Sequence, residues 1–136
     1  MNDQQLESLL SRIFKTGALR RIPKKREEAR LLMALSICQL ELDGIYDESE
    51  IDHHLSDWLA RLSESPEQVD HVTWRRGLVD FGFLRRATDG AIYRIRSELV
   101  DSVLADIDRL VDIEKLRHTF LQKRNEHAQR HSEAGE

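Results

Sequence analysis

One β-hairpin signal in an otherwise helical sequence is the strongest constraint on the fold of this chain. Residues 83–86 and 91–95 form two short runs that suit β-strands, and an Asp-Gly pair at 89–90 lies between them. Because glycine adopts the positive φ that a tight turn requires, this pattern predicts a two-stranded hairpin. A lone hairpin is only marginally stable in water, so it needs a further strand. We expect the short segment at 45–46 to pair with it.

Apolar residues at helical spacing predict four helices before the hairpin. Gly17 is expected to end the first helix, and Pro23 to lie in the first turn of the second. Pro66 is expected near the start of the fourth helix, which Gly82 ends. The second helix is apolar around most of its circumference, which predicts the central helix of the core. The predicted apolar positions are Leu6, Leu9, Leu10, Ile13 and Phe14 in the first helix, Ala29, Leu31, Leu32, Met33, Leu35, Ile37, Cys38 and Leu40 in the second, Ile51, Leu55, Trp58, Leu59 and Leu62 in the third, and Val69, Val72, Trp74, Leu78 and Val79 in the fourth.

The third helix has two candidate N-caps, Asp47 and Ser49. Asp47 is followed three residues later by Glu50, which is the spacing of a capping box, where each side chain accepts a hydrogen bond from a free backbone N–H. Either cap would start the helix directly after the short strand.

The helical pattern returns at about residue 97 and continues to about residue 130. Val100, Val103, Ile107 and Leu110 alternate spacings of three and four, as in a coiled-coil seam, over only two heptads. Two interpretations stay open: these four residues form the interface of a homodimer, or the helix packs back on its own domain. The apolar stripe shifts after residue 112, which predicts either a bend or two consecutive helices, and the tail from residue 129 is expected to fray.

The order helix, short strand, helix, helix and hairpin is that of a winged helix-turn-helix domain. Four stretches narrow the resemblance further: Arg21-Ile22-Pro23-Lys24-Lys25-Arg26, Tyr46-Asp47-Glu48-Ser49-Glu50-Ile51-Asp52, Trp74-Arg75-Arg76-Gly77-Leu78-Val79-Asp80-Phe81-Gly82-Phe83-Leu84-Arg85-Arg86 and Asp89-Gly90-Ala91-Ile92-Tyr93. Between about residues 19 and 95 the chain resembles a bacterial domain of unknown function, number twenty-eighty-seven, which also occurs fused to transcription regulators. This sequence departs from that family's pattern at Asp52, at Gly77 and in an apparent insertion at 61–68. The resemblance implies a winged-helix fold and transfers no catalytic residue.

The fold class predicted is therefore mainly α with a small β-hairpin, a winged helix-turn-helix-like domain with extra helices at both ends. We expect an N-terminal amphipathic helix at residues 1–18, the winged-helix-like domain at 19–96, and a C-terminal helical extension with a frayed tail at 97–136.

The charge of the chain is strongly segregated, although the formal net charge is only −4. Residues 15–30 carry a balance of +5, residues 41–70 a balance of −9, and residues 71–96 a balance of +4. A winged-helix protein places the helix before the hairpin in the major groove of DNA, while basic side chains contact phosphates. The candidate DNA contacts are Arg75, Arg76, Arg85, Arg86, Arg94 and Arg96.

Two functions fit this charge pattern. The first is a DNA-binding, transcription-regulator-like protein, acting as a homodimer on double-stranded DNA. The alternative is a protein–protein interaction or dimerisation module that keeps the fold, with Arg75 and Arg76 paired to acids of the third helix. Glu67 and Asp70 favour the alternative, because carboxylates at the start of the fourth helix repel phosphate.

Enzymatic, metal-binding and membrane-spanning functions find no support in the sequence. No nucleophile motif, phosphate-binding glycine loop or dinucleotide fingerprint is present, and the histidine pairs lack further ligands. We expect neither catalysis nor a cofactor, metal or small-molecule ligand. No apolar run reaches the roughly 20 residues of a membrane helix, and the N-terminal residues do not resemble a secretory signal. The lone Cys38 is predicted to be a buried, inert thiol, and the expected location is the cytoplasm.

Overall fold

The computed structural model describes residues 3–41, 44–63, 65–88 and 92–105, together with residues 115, 117, 118, 121 and 122. This part of the chain contains five helices and one small antiparallel sheet. The elements in chain order are α1 (Asp3–Thr16), α2 (Arg26–Ile37), β1 (Ile45–Asp47), α3 (Glu48–Leu62), α4 (His71–Asp80), β2 (Leu84–Arg86), β3 (Ile92–Ile95) and α5 (Ser97–Leu104). The predicted class, mainly α with a hairpin and winged-helix-like, is confirmed.

The sheet has the strand order β1-β3-β2, with β3 antiparallel to both neighbours. Ile45 of β1 and Leu84 of β2 lie opposite Arg94 and Ile95 of β3, respectively. The pairing of the short first strand with the hairpin, predicted because a lone hairpin is marginal, is therefore confirmed. The predicted Asp-Gly turn at 89–90 lies outside the described residues.

Three predicted helix ends are confirmed by the backbone. Gly17 and Gly82 both have positive φ, +83° and +85°, directly after α1 and at the end of α4. Asp47 is the N-cap of α3: its carboxylate accepts a hydrogen bond from the Glu50 N–H at 2.7 Å, and the Glu50 carboxylate accepts one from the Asp47 N–H at 3.2 Å. The capping box thus resolves the choice between Asp47 and Ser49.

The predicted positions of both prolines were wrong. The N-cap of α2 is Lys25, so Pro23 precedes the helix instead of lying in its first turn. Pro66 lies in a turn, and α4 begins at residue 71 because the Asp70 carboxylate accepts the Thr73 N–H at 2.7 Å. At α4 the side-chain acceptor for a free N–H of the first turn determines where the helix starts, whereas α2 begins after Lys25 without a side-chain cap.

Helix α2 also ends earlier than predicted, at Ile37 instead of Leu40. The Leu40 N–H donates to the Ile37 carbonyl at 3.1 Å, which forms a turn. Cys38 is the C-cap and is half-buried, with its thiol donating to the Leu35 carbonyl at 3.4 Å. Within α2 itself the prediction of a central helix is confirmed, because most of its residues are buried around the whole circumference.

Trp74 of α4 joins the three central helices. Its side chain is fully buried, its ring stacks on that of Trp58 of α3 with centroids 5.8 Å apart, and its indole N–H donates to the Ser36 Oγ of α2 at 3.0 Å. The Ser36 hydroxyl in turn donates to the Met33 carbonyl at 2.6 Å, and Nε2 of His54 donates to the Ser36 carbonyl at 2.7 Å. A buried polar group is costly unless it is paired, so this network restricts how α4 can pack on α2.

The terminal helices pack on the same core. The predicted apolar face of α1 is buried throughout, and Val100 of α5 has no exposed surface in the single chain. Val103 is half-buried against that core. Val100 is therefore no longer a candidate for the dimer interface, because its own chain already covers it. Ile107 and Leu110 lie outside the described residues, as does the predicted bend near residue 112, and the homodimer stays a prediction.

The Ser36–Trp74 hydrogen bond can be tested by a double-mutant cycle. Ser36→Ala leaves the indole N–H buried without an acceptor, and we expect the free energy of unfolding to fall by about 1–3 kcal/mol. In a Trp74→Phe background the same substitution should cost much less, since no N–H is then left unpaired. Urea denaturation of the four proteins measures the coupling, and equal costs in both backgrounds would contradict it.

His54 predicts a pH dependence of stability. Burial lowers the pKa of this imidazole below its ordinary value, outweighing the Ser36 hydrogen bond, which acts in the opposite direction. The unfolded chain therefore takes up the proton first, and the free energy of unfolding should decrease as the pH falls below about 6.5. His54→Gln keeps a donor for the Ser36 carbonyl but does not titrate. Its stability should change less than that of the wild type between pH 7.5 and 5.5; identical profiles would rule out the assignment to His54.

Candidate nucleic-acid interface

The solvent-facing side of the sheet carries two arginines directly opposite each other. Side chains alternate across a strand, so Leu84, Tyr93 and Ile95 are buried while Arg85 and Arg94 point to solvent. The register places Arg85 of β2 opposite Arg94 of β3, where Cβ atoms are about 5 Å apart. No residue in the described ranges forms an ion pair with either guanidinium. Like charges in this position destabilise a sheet, and an anion bound between them would offset that repulsion.

The other predicted contacts on the wing, defined as residues 84–88 and 92–96, are also exposed. Arg86 lies opposite Tyr93 at the end of β2, and Arg96 is the residue before α5. A guanidinium nitrogen of Arg96 lies 3.6 Å from the position that a Cβ on Gly82 would occupy, at the end of α4. The structure thus brings Arg85, Arg94 and Arg96 together on one face of the hairpin, while Arg86 is exposed on the other face, opposite Tyr93.

Arg75 does not belong to this surface. Only 12% of its side chain is exposed, and its guanidinium bridges Glu48, at 3.0 Å, and Asp52 of α3. Burial alone would lower the pKa of Arg75, but the hydrogen bond and charge of Asp52 more than offset it, and the pKa is raised. We remove Arg75 from the candidate phosphate contacts, because its guanidinium already pairs with the carboxylates of Glu48 and Asp52. This is the internal pairing that the sequence left open.

Arg76 points the other way. Adjacent helical residues are about 100° apart, so with Arg75 turned toward α3 its neighbour is exposed. Arg76 shares the outer stripe of α4 with Thr73 and Asp80, three and four residues away. The stripe therefore presents one cation and one anion.

Carboxylates occupy the helix ends that approach DNA in a helix-turn-helix protein. Asp70 caps α4, and its pKa is lowered mainly because the carboxylate accepts the Thr73 backbone N–H. Glu67 pairs with Arg20 at 2.7 Å. Glu48 and Glu50 lie in the first turn of α3.

A second basic segment was missed as a candidate site. Arg21, Lys24 and Lys25 are exposed in the loop before α2, as is Arg26, the first residue of the helix. The Arg26 guanidinium lies 5.4 Å from the centroid of the Phe81 ring. Ile22 holds this loop against α4: a Cβ on Gly77 would lie 2.5 Å from the Ile22 Cδ1. The balance of +5 in residues 15–30 is the signal that could have identified this segment, whereas its position beside α4 depends on tertiary packing.

Among the described residues, no three or more His, Cys, Asp or Glu side chains come together as metal ligands would. Within the same ranges, no helix combines the length and apolar character required to cross a bilayer.

Helices α2, α3 and α4 are followed by the β2–β3 hairpin, and β1, which lies between α2 and α3 in sequence, pairs with β3. This arrangement defines a winged-helix-like domain. Residues 18–95 match the family model described as an uncharacterized protein conserved in bacteria (DUF2087). That match covers more than half of the chain, and the protein belongs to this family, as its sequence motifs predicted. Comparison with curated proteins and with solved structures found no match.

Substitution of the two adjacent arginines of α4 should have unequal effects on stability. Arg75→Met leaves Glu48 and Asp52 without their shared cation, and we expect the free energy of unfolding to decrease by about 1–3 kcal/mol. Arg76→Met is the matched control at an exposed position, where the change should stay within about 0.5 kcal/mol. Guanidinium denaturation compares the two variants, and equal losses would mean that the Arg75 ion pairs contribute no more than an exposed side chain.

Proposed function

We propose that this protein is a non-catalytic, cytoplasmic DNA-binding protein of the transcription-regulator type, with double-stranded DNA as its partner. The winged-helix-like order of elements supports the proposal, since that fold presents a hairpin and the preceding helix to DNA. Fold alone does not imply function, so the argument depends on the chemistry of the exposed surface.

The observation that carries the proposal is the opposed pair Arg85 and Arg94. Two guanidinium groups lie opposite each other on neighbouring strands, and none of the described acids pairs with them. An anion bound between them would relieve their repulsion. The planar guanidinium donates two parallel hydrogen bonds to phosphate, and a DNA backbone supplies closely spaced phosphates. Arg96, two residues after Arg94, extends this surface, whereas Arg86 lies opposite the buried Tyr93 and therefore on the other face of the hairpin.

A second candidate, a protein-interaction module, is favoured by one different observation. Ile45 is 55% exposed and lies opposite Arg94, so an apolar side chain continues the row that the two arginines form across the sheet. A partner protein with an acidic surface and an apolar side chain would suit this mixed row better than a DNA backbone would.

A titration with labelled duplex DNA distinguishes the two candidates. At about 20 mM salt we expect binding with a dissociation constant below about 100 μM, because phosphate contacts supply affinity in this range. The logarithm of the affinity should fall linearly with the logarithm of salt concentration, by about 0.9 for each phosphate neutralised. Poly-glutamate of equal charge serves as the control competitor. Absence of binding at low salt, or complete displacement by poly-glutamate at equivalent charge, would contradict the DNA proposal.

A further inference from the structure

We propose that the wing alone holds the duplex, through phosphate contacts, and that α4 reads no base edges, so that the ligand is duplex DNA of any sequence. This inference rests on the proposed function and specifies its mode. It differs from the usual arrangement of the fold, in which the helix before the hairpin lies in the major groove.

The start of α4 is unsuitable for approach to a phosphate. A helix N-terminus attracts anions through its free N–H groups and its positive dipole end. Here the Asp70 carboxylate already accepts the Thr73 N–H at 2.7 Å, so an anion of the protein itself lies where a phosphate would bind. A phosphate brought to this end would meet the like charge of Asp70, and Glu67, three residues earlier, is already paired with Arg20.

The exposed stripe of α4 offers little to base edges or to the backbone. Its polar residues are Thr73, Arg76 and Asp80, and the charges of the last two cancel. Val72 and Val79 flank the stripe and are half-buried. The remaining basic residue of the helix, Arg75, is held by α3.

The start of α3 is equally unsuitable. In a helix-turn-helix protein the first helix crosses the DNA backbone. The first turn of α3 instead carries Glu48 and Glu50 beside the capping Asp47. Of these three acids, only Glu48 has a cationic partner among the described residues, Arg75. The Glu48 side chain is still 46% exposed. Both helices of the motif therefore repel the backbone at the ends that would approach it.

The wing has the opposite properties. Arg85 and Arg94 stand on strands that are paired along their length, and the hairpin is extended by the hydrogen bonds from the Ala87 N–H to the Ile92 carbonyl, 2.8 Å, and from the Arg96 N–H to the Phe83 carbonyl, 2.9 Å. These side chains therefore project from a fixed platform. Contacts of this kind position a protein on DNA but carry no sequence information, because every base pair has the same phosphates.

The experiment compares four variants by duplex titration at several salt concentrations. Arg85→Ala/Arg94→Ala removes the opposed pair, and Lys24→Ala/Lys25→Ala is the matched control that removes two exposed cations from the loop before α2. Arg76→Ala tests the exposed stripe of α4. Asp70→Asn tests its N-terminus, because asparagine keeps the cap and removes the charge.

We expect the wing variant to lose at least tenfold in affinity and to reduce the salt slope by about 2, which corresponds to two phosphates. The affinities of the other three variants should stay within about threefold of the wild-type affinity. The affinities of the wild type for duplexes of unrelated sequence should differ from one another by no more than that. The wing variant should keep its fold, as checked by its thermal transition, since the substitution removes a repulsive pair.

Failure of this inference is distinguishable from failure of the proposed function. If the wild type binds no duplex, both the proposed function and the wing mode are wrong. If it binds, but Arg76→Ala costs tenfold, Asp70→Asn strengthens binding tenfold, or one duplex sequence is strongly preferred, then α4 contacts DNA and only the wing mode is overturned. Equal losses in the wing variant and the lysine control would show that general charge, not the wing, binds the duplex.

Discussion

The buried indole of Trp74 is the contact on which the rest of the domain depends. It stacks on Trp58 of α3 and donates to Ser36 of α2, so one side chain determines the relative positions of three helices. The stack permits some sliding of the rings, whereas the hydrogen bond requires Ser36 within about 3 Å of one nitrogen atom. Because β2 follows α4 after a short turn at Gly82, the orientation of α4 also determines where the hairpin projects.

The same orientation divides the charges of the chain between internal and external partners. With Trp74 inward, Arg75 turns toward the carboxylates of α3 and Arg76 toward solvent. Two acids of the segment with a balance of −9, Glu48 and Asp52, therefore pair with one arginine of the basic segment that follows it. Of the other arginines in that basic segment, Arg76 is exposed on α4, and Arg85 and Arg94 are exposed on the hairpin.

Gly77 adds a constraint that connects the loop before α2 to α4. A side chain at this position would meet Ile22 and Met33 within 3 Å, so the absence of a Cβ lets Ile22 pack against the helix. The exposed cations of that loop are thereby held beside the end of α4, where Arg26 also covers the ring of Phe81. Two basic surfaces thus flank a helix whose own exposed stripe has no net charge.

The sequence by itself determined the features that depend on neighbours a few residues apart. The apolar faces of the helices, the capping box of Asp47 and Glu50, and the hairpin follow from periodicity and turn chemistry, and the family follows from its motifs. Tertiary structure alone decided the rest. Arg75 reaches Asp52 across 23 positions of sequence, Val100 is covered by its own chain, and α4 begins at its Asp70 cap instead of at Pro66. The reason is physical: periodicity records which face of an element is buried, whereas the partner of a charge depends on which elements the folded core brings together.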